Sequence, residues 1–254
     1  MKIIVFGIMG RMGQAVVESA KQENEIELIG FDNMESVMNG IPVFSDFVKL
    51  PDAPDFAIDF SSPELITEIA DWSLKSKTPL ISGTTGLSHE QIDYLKLAAR
   101  SIPVFYASNF SLTIALLGKF TEIAARFLDD ADIEIVEYHH RNKADAPSGT
   151  ALNLAQKIAT AKSIDENSFV FGRKGHTGVR SKNEIGIHAI RGGGIVGEHR
   201  IIFALPEDEM ILTHRAISRN LFAKGALKAA RWLLEQKTGF YTPEDYINSI
   251  MINE

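Results

Sequence analysis

The chain has 254 residues, 45% hydrophobic and 23% charged, which is ordinary for a soluble globular protein of one or two domains. Its formal net charge is −7 and its acidic residues are scattered, so nucleic-acid binding is not expected, because that requires a basic face. The chain has no cysteine, which excludes disulfides and thiolate metal sites, and no apolar run approaches the ~18 residues of a membrane helix; we therefore expect a cytoplasmic protein that does not associate with membranes.

Strands and helices alternate over the first part of the chain. The strands are predicted at 2–6, 27–31, 55–60, 79–83 and 103–107, and the helices at 11–22, 64–76 and 89–101. Such alternation, with mostly apolar strands, predicts an α/β domain in which a doubly wound parallel sheet is covered on both faces.

A glycine-rich turn joins the first strand to the first helix. The segment Gly7-Ile8-Met9-Gly10-Arg11-Met12-Gly13 has the G-x-x-G-x-x-G pattern. After a strand and before a helix, this pattern predicts a dinucleotide site, since the backbone can approach a pyrophosphate closely there. The alternative is a structural turn that binds nothing.

Asp32 follows the second predicted strand, at the place where a dinucleotide site has its acidic residue. The carboxylate would accept hydrogen bonds from the adenosine ribose. A 2′-phosphate would need a cation nearby, but Asn33, Met34 and Glu35 come next and Arg11 is the only nearby candidate. The pattern therefore favours NADH over NADPH.

Two further polar stretches follow predicted strands of this domain. They are Ser82-Gly83-Thr84-Thr85-Gly86 and Ser108-Asn109-Phe110-Ser111. Ligands of open α/β sheets lie beyond the carboxyl ends of the strands, so these stretches are candidates to contact a nicotinamide or ribose. Helix-capping turns are an equally good interpretation.

The pattern changes after about residue 111. Helices are predicted at 111–128, 150–162 and 226–236, and strands at 133–139, 184–191, 198–205 and 209–216. Consecutive strands without intervening helices predict a second, α+β domain with a mostly antiparallel or mixed sheet.

The segment EYHHRNKADAPSGTA, residues 137–151, concentrates proton carriers ahead of a helix. Alternation along the strand puts Glu137 and His139 on one face, and Lys143 adds an ammonium group. Ser148 and Gly149 begin the helix, whose free N–H groups favour an anion such as a carboxylate. The alternatives are a solvated polar loop and, less favoured because no further ligand stands at helical spacing, a metal site; no metal is expected.

This segment resembles the signature E-x-H-H-x-x-K-x-D-A-P-S-G-T-A of the 4-hydroxy-tetrahydrodipicolinate (dihydrodipicolinate) reductase family. The G-x-x-G-R-M-G opening, the S-G-T-T-G and S-N-F-S stretches and the late R-G-G…V-G-E-H run are also similar to it, in the same order. The resemblance implies an NAD(P)H-dependent reductase of lysine and diaminopimelate biosynthesis, with a cyclic dicarboxylate as substrate.

The resemblance also implies roles for individual residues. His139 would be the general acid and base and Lys143 the proton donor, while His140, Gly149 and Thr150 would bind the substrate. The implied cofactor-binding residues are Gly7, Ile8, Met9, Gly10, Arg11 and Met12 for the pyrophosphate, Asp32 for the ribose, and Gly83, Thr84, Thr85, Ser108, Asn109, Phe110 and Ser111 for the nicotinamide half.

At the level of domains, the resemblance implies a Rossmann-type nucleotide domain of residues 1–111 and 220–254. Residues 112–219 would bind the substrate and join the subunits of a homotetramer. The run Gly192-Gly193-Gly194 beside Arg191 is either a mobile loop or a plain hairpin turn.

Two other functions deserve comparison with this one. Aspartate and homoserine dehydrogenase-like enzymes also join a Rossmann domain to an α+β domain, but they lack a His-His-x-x-Lys run before a Ser-Gly-Thr helix start. An NAD-binding redox sensor would need no proton donors and would carry an interaction surface or an appended module, which the sequence does not indicate.

Overall fold

The structure, a computed structural model, describes residues 1–23, 26–51 and 54–252. It divides into two compact units, residues 1–112 with 219–254, and residues 113–218. Residues 253 and 254, which the expected first domain includes, lie outside the described residues. None of the helices in the described part of the chain is both long and apolar enough to cross a membrane.

The first unit begins with alternating strands and helices. They are β1 (Lys2–Phe6), α1 (Arg11–Ala20), β2 (Glu27–Phe31), β3 (Ser36–Met38), β4 (Ile41–Phe44), β5 (Phe56–Asp59), α2 (Ile66–Ser76), β6 (Leu80–Ser82), α3 (His89–Ala98) and β7 (Pro103–Tyr106). A short 3-10 helix, Pro63–Leu65, precedes α2, and Pro63 fits its first position, where a backbone N–H has no partner within the helix.

The second unit contains two helices and five strands. In chain order these are α4 (Leu112–Phe127), β8 (Asp132–His139), α5 (Gly149–Lys162), β9 (Phe169–Phe171), β10 (Ile185–Arg191), β11 (Gly197–Ala204) and β12 (Glu209–Ala216). The chain then returns to the first unit with α6 (Asn220–Leu234), β13 (Gly239–Tyr241) and α7 (Pro243–Ile252).

The sheet of the first unit has the strand order β13-β7-β6-β5-β1-β2-β4-β3 and is parallel except for the β3–β4 pair. β1 lies between β2 and β5, so the chain winds outward from β1 in both directions. In such sheets the ligand crevice lies at the carboxyl ends of the strands where the winding reverses, which here is next to Gly7.

Helices cover both faces of this sheet. Ile4 and Phe6 belong to a core with residues of α2 and α3, and Phe6 packs edge-on against Trp72. On the other face, α1 packs against α6, and Trp232 of α6 contacts Phe105. Burying both faces explains why these strands are continuously apolar.

The sheet of the second unit has the order β12-β11-β8-β10-β9. β8 pairs in parallel with β10 and antiparallel with β11, so the sheet is mixed. Ile133, Ile135 and Ile201 face one core with α4 and α5. The parallel and mixed sheets together confirm the fold class predicted from the sequence.

Candidate active site

The turn between β1 and α1 brings backbone N–H groups to the carboxyl end of β1. Gly7 has φ +74°, and a Cβ there would lie 2.6 Å from the carbonyl oxygen of Phe60. A Cβ on Gly13 would collide with the carbonyl oxygen of Gly7, so α1 can approach the turn only with glycine at that position. Because the N-cap is Gly10, no side chain caps α1, and its first N–H groups can serve an anion.

Asp32 lies directly beside this turn. Its Oδ2 accepts a hydrogen bond from the N–H of Met9 at 2.8 Å, and its Oδ1 accepts one from the N–H of Asn33 at 2.8 Å. Each carboxylate oxygen has a further lone pair for a hydroxyl donor. An N–H-lined turn with an acidic acceptor beside it is what the ADP-ribose half of a dinucleotide needs, so the residues present fit this cofactor.

The side chain of Ile8 does not point to a ligand. It is buried and fills the space left by the missing side chain of Gly30, where a Cβ would lie 2.8 Å from Ile8 Cδ1. The N–H of Ile8 donates to the carbonyl of Phe31 at 3.4 Å. Met9, in contrast, is 45% exposed.

Lys49 forms an ion pair in the segment that follows Asp32. The Nζ of Lys49 is 3.0 Å from Oε2 of Glu35, three residues after Asp32. Lys49 is 14 residues from Glu35 in sequence and reaches it because β4 pairs with β2.

A cavity of about 460 Å³ opens at the carboxyl ends of β5, β6 and β7. The predicted cofactor residues that line it are Arg11, Met12, Gly83, Thr84, Thr85, Ser108, Asn109 and Phe110. Phe60, Ser61 and Phe222 also line it and were not predicted. Ser111 is buried and donates its N–H to Asn109 Oδ1 at 2.8 Å, so it shapes the loop that carries Asn109.

The second candidate site lies entirely in residues 113–218 and is built around Glu137. This side chain is completely buried near the end of β8 and points to the same face as His139. Its Oε2 is 2.6 Å from Nδ1 of His139, and its Oε1 accepts the N–H of Ser148 at 2.9 Å. The alternation of side chains along β8 thus places Glu137 and His139 on one face of the strand, as the sequence predicts.

Arg191 neutralises Glu137 and was not assigned a role from the sequence. Its Nη1 and Nη2 donate to the two carboxylate oxygens at 2.8 and 2.7 Å, and Nη2 also donates to the carbonyl of Asp145 at 2.6 Å. Burial acts to raise the pKa of Glu137, but the hydrogen bonds from Arg191, His139 and Ser148 outweigh it and hold that pKa below its ordinary value. Glu137 is therefore an anion at neutral pH.

His139 is oriented by this anion. Because Glu137 holds Nδ1, the other ring nitrogen, Nε2, is the one available to exchange a proton. A Cβ at Gly197 would lie 3.0 Å from Nε2, so the glycine on the neighbouring strand leaves room there. Burial lowers the pKa of His139, and the charge of Glu137 acts in the opposite direction.

Lys143 lies close to this imidazole. Its Nζ is 2.8 Å from Oδ1 of Asp145, and its charge contributes to lowering the pKa of His139. Its backbone N–H donates to the carbonyl of His140 at 3.1 Å, which closes a tight turn after β8. Lys143 thus lies in the turn that directly follows the strand carrying His139, and its positive charge acts on that imidazole.

The N-terminus of α5 completes the site. Ser148 is the N-cap, and its Oγ accepts the N–H of Ala151 at 3.2 Å. A Cβ on Gly149 would meet nothing within 4 Å, so the first turn of the helix opens to free space. Thr150 follows in the same turn, and the half-buried His140 lies at the end of β8.

His199, on β11, supports the helix start and was missed from the sequence. Its Nε2 is 3.0 Å from Oγ of Ser148, and its ring lies 5.3 Å from the ring of His139. Burial lowers the pKa of His199 to about 4, so its imidazole is neutral at pH 7. The Gly-Glu-His run could have indicated His199 as a site residue, but only the pairing of β11 with β8 shows which residues this histidine contacts.

The glycine run 192–194 forms a turn against this site. The N–H of Gly192 donates to the carbonyl of His139 at 2.9 Å, and the N–H of Arg141 donates to the carbonyl of Gly193 at 3.3 Å. The hairpin interpretation was wrong, because β10 and β11 pair with opposite edges of β8 and not with each other, so the glycine turn crosses the end of β8.

Two family models together match nearly the whole chain. The family described as "Dihydrodipicolinate reductase, N-terminus" matches residues 1–110, and "Dihydrodipicolinate reductase, C-terminus" matches residues 113–247. The 4-hydroxy-tetrahydrodipicolinate reductases of Caldanaerobacter subterraneus subsp. tengcongensis and Nitratiruptor sp. are 42% and 43% identical to the chain. The alignments cover 97% and 95% of this chain and 98% and 96% of those proteins.

A solved structure is similar over the same length. It is the dipicolinate-bound dihydrodipicolinate reductase from Paenisporosarcina sp. TG-14, with a TM-score of 0.80 and 25% identity, covering 97% of this chain and 99% of that one. The diaminopimelate dehydrogenase of C. glutamicum, at 12% identity and a TM-score of 0.59, shares the fold. The chain belongs to the dihydrodipicolinate reductase family.

Proposed function

We propose that the chain catalyses the NAD(P)H-dependent reduction of 4-hydroxy-tetrahydrodipicolinate to tetrahydrodipicolinate, in the diaminopimelate and lysine pathway. The observation that carries this proposal is the Glu137–His139 pair, with Lys143 beside it and the start of α5 nearby. Full-length similarity to proteins named for this reductase supports it, as does the dipicolinate in the solved relative.

The start of α5 and His140 bind the substrate in this proposal. The N–H groups of Gly149 and Thr150 donate to one carboxylate, aided by the positive end of the helix dipole. Ser148 keeps this turn in place, because its side chain caps the helix and its backbone N–H is held by Glu137. Positioning of this kind contributes several kcal/mol to lowering a barrier.

His139 and Lys143 handle protons. Loss of the 4-hydroxyl group as water gives a conjugated imine, and hydride addition to that imine leaves negative charge on the ring, which a proton must neutralise. Lys143 Nζ donates that proton, and Nε2 of His139 acts as general acid and base. The anion at Glu137 stabilises the protonated imidazole, which keeps a buried histidine usable at neutral pH.

The first unit holds the cofactor, which supplies the hydride when it is bound. The N–H groups of Arg11 and Met12 at the start of α1 bind the pyrophosphate, and Asp32 accepts from the adenosine ribose. The cavity residues Gly83, Thr84, Thr85 and 108–110 surround the nicotinamide half, and Ser111 shapes the loop that carries Asn109. NADH is preferred over NADPH, because the carboxylate of Asp32 repels a 2′-phosphate and Lys49 is already paired with Glu35.

We further propose that the cytoplasmic enzyme is a homotetramer assembled through the sheet of the second unit. In that sheet, α4 and α5 pack on the face of Ile133 and Ile201. The opposite face carries apolar side chains that are well exposed, including Ile190 at 41% and Ile211 at 47%. Exposed apolar patches of this kind mark protein interfaces.

The test is to follow NADH and NADPH absorbance with enzymatically generated hydroxytetrahydrodipicolinate. We expect turnover with both cofactors and a higher kcat/KM with NADH. His139→Ala and Lys143→Ala should each lower kcat by ~10²-fold or more, in the range of lost acid–base catalysis.

His176→Ala and Lys182→Ala are the matched controls, since both residues are exposed in the same unit and should leave the rate unchanged. Turnover near that of the wild type in both site variants would overturn the assignment of roles. Absence of any turnover in the wild type would overturn the function itself.

A further inference from the structure

Asp59, at the carboxyl end of β5, is a buried acid that none of the proposed steps uses. Its exposure is 0%, yet in the part of the chain that the structure describes no cation pairs with it. Its Oδ1 accepts from the N–H and the Oγ of Ser61, at 2.9 and 2.6 Å. Its Oδ2 accepts from Oγ of Ser82 at 2.7 Å and from Oγ1 of Thr84 at 2.8 Å.

A buried carboxylate is costly unless it is satisfied, and here four donors satisfy it. Burial raises the pKa of Asp59, and the hydrogen bonds act against that rise. The backbone of Asp59 takes part as well, because its carbonyl accepts the N–H of Gly83 at 2.8 Å. One residue thus connects the loops that follow β5 and β6.

The chemistry of a carboxylate fixes which way its hydroxyl partners point. The hydroxyls of Ser61, Ser82 and Thr84 all donate to Asp59, so each directs its single proton at the carboxylate. Ser61 and Thr84 both line the 460 Å³ cavity, whereas Ser82 does not. The two cavity hydroxyls are left with lone pairs alone, and this part of the wall is therefore built to accept hydrogen bonds.

The strand order indicates which half of the dinucleotide meets this wall. The pyrophosphate site follows β1, and Asp32, which follows β2, lies on one side of it. Ser61 and Thr84 follow β5 and β6 on the other side of β1. A dinucleotide whose adenosine ribose reaches Asp32 extends its nicotinamide half toward the cavity.

We propose that Asp59 is a positioning residue that sets Ser61 and Thr84 as acceptors for the N–H2 of the nicotinamide carboxamide. This inference rests on the proposed function and adds to it the residues that recognise the nicotinamide half of the cofactor. Asp59 touches neither cofactor nor substrate; it acts through the two hydroxyls.

Binding of three probes to the intact protein tests the proposal. NADH has the carboxamide, the reduced 3-acetylpyridine analogue replaces its N–H2 by a methyl group, and ADP-ribose lacks the ring. In Asp59→Asn the amide oxygen must face the N–H of Ser61, so the N–H2 takes the place of Oδ2; Ser82 and Thr84 then both accept, and Thr84 turns its proton into the cavity. We expect the Kd of NADH, measured by fluorescence titration, to rise roughly tenfold. The Kd of ADP-ribose should be unchanged, and that of the acetylpyridine analogue nearly unchanged.

Thr84→Val and Ser82→Ala form a matched pair, since each removes one hydroxyl from Oδ2 of Asp59 but only Thr84 lines the cavity. Thr84→Val should weaken NADH binding and Ser82→Ala should not. Equal losses in this pair, or equal losses of NADH and ADP-ribose in Asp59→Asn, would show a merely structural role and overturn the inference. A wild-type protein that binds none of the three probes would instead refute the proposed function.

Discussion

At the scale of single residues, the surroundings of Glu137 allow this side chain to be both buried and ionised. It must stay ionised to stabilise a protonated His139, and it is completely buried, which favours its neutral form. The bidentate contact with Arg191 resolves this conflict, because a planar guanidinium matches both carboxylate oxygens at once. Glu137 also accepts the backbone N–H of Ser148, so one anion contacts both the proposed base and the helix start proposed to bind a carboxylate.

Glu137→Gln tests this arrangement through the pH dependence of the rate. The carboxylate raises the pKa of His139 against the effect of burial, so its removal should lower that pKa further. The limb of the kcat/KM–pH profile that reports His139 should move to lower pH, and the rate at neutral pH should fall by ~10-fold or more. Steady-state kinetics across the pH range measures both effects.

Glu134→Gln is the control for this variant. Glu134 lies on the same strand and also joins a histidine to an arginine, with His188 Nε2 at 2.7 Å and Arg173 Nη2 at 2.8 Å. It lies on the opposite face of the sheet from Glu137, so the profile of its variant should match that of the wild type. If the limb of the profile assigned to His139 lies at the same pH in Glu137→Gln as in the wild type, Glu137 has no part in the acid–base catalysis.

At the scale of secondary-structure elements, α5 illustrates how a helix start is both a structural and a binding feature. Ser148 caps the helix through Oγ and is itself held by the buried His199 at 3.0 Å. Ser148→Ala removes the cap, which costs about 1 kcal/mol, and leaves a buried imidazole nitrogen without its partner, which costs about 1–3 kcal/mol more. We expect urea unfolding, followed by circular dichroism, to show a loss of about 2–4 kcal/mol.

Ser88→Ala gives the comparison for the cap alone. Ser88 caps α3 by accepting the N–H of Gln91, but it is exposed, so its replacement should cost only about 1 kcal/mol. If the two variants lose the same stability, the contact between Ser148 and His199 contributes nothing, and the view of His199 as a support for the helix start is wrong.

Elements also show what the sequence could and could not predict. The start of α5 and the shared face of Glu137 and His139 followed from local signals, a Ser-Gly-Thr run and strand alternation. Arg191 did not, because it is 54 residues away and reaches Glu137 only through the parallel register of β10 with β8. Asp59 and Thr84 are likewise joined across two strands, 25 residues apart.

Several short elements were missed for a different reason. The strands β3, β4, β9 and β13 have three or four residues and are only partly buried, unlike the equally short β5 and β6, whose residues are all buried. The helix α7 did have a signal, since Pro243 stands at its first position and Glu244 and Asp245 in its first turn.

At the scale of the whole molecule, the proposed homotetramer would assemble through the exposed face of the second sheet. Strand register places Ile211 beside Ile202 on this face, because their neighbours Leu212 and Ile201 point toward the core with α4 and α5. Tyr138 lies on the same face, with the guanidinium of Arg200 5.5 Å from the centre of its ring. Apolar and aromatic side chains mixed with arginine are typical of subunit interfaces.

Ile211→Glu tests assembly through this face. Because the side chain is 47% exposed, the substitution should leave the fold intact, whereas a carboxylate buried in a subunit interface would cost several kcal/mol. We expect light scattering coupled to gel filtration to show smaller species, with subunit association weakened by ~100-fold or more. Leu97→Glu, at a residue 53% exposed on α3 of the first unit, should leave the assembly unchanged. A tetramer that persists in Ile211→Glu would mean that the subunits meet through another surface, and the apolar side chains of this face would then need a different explanation.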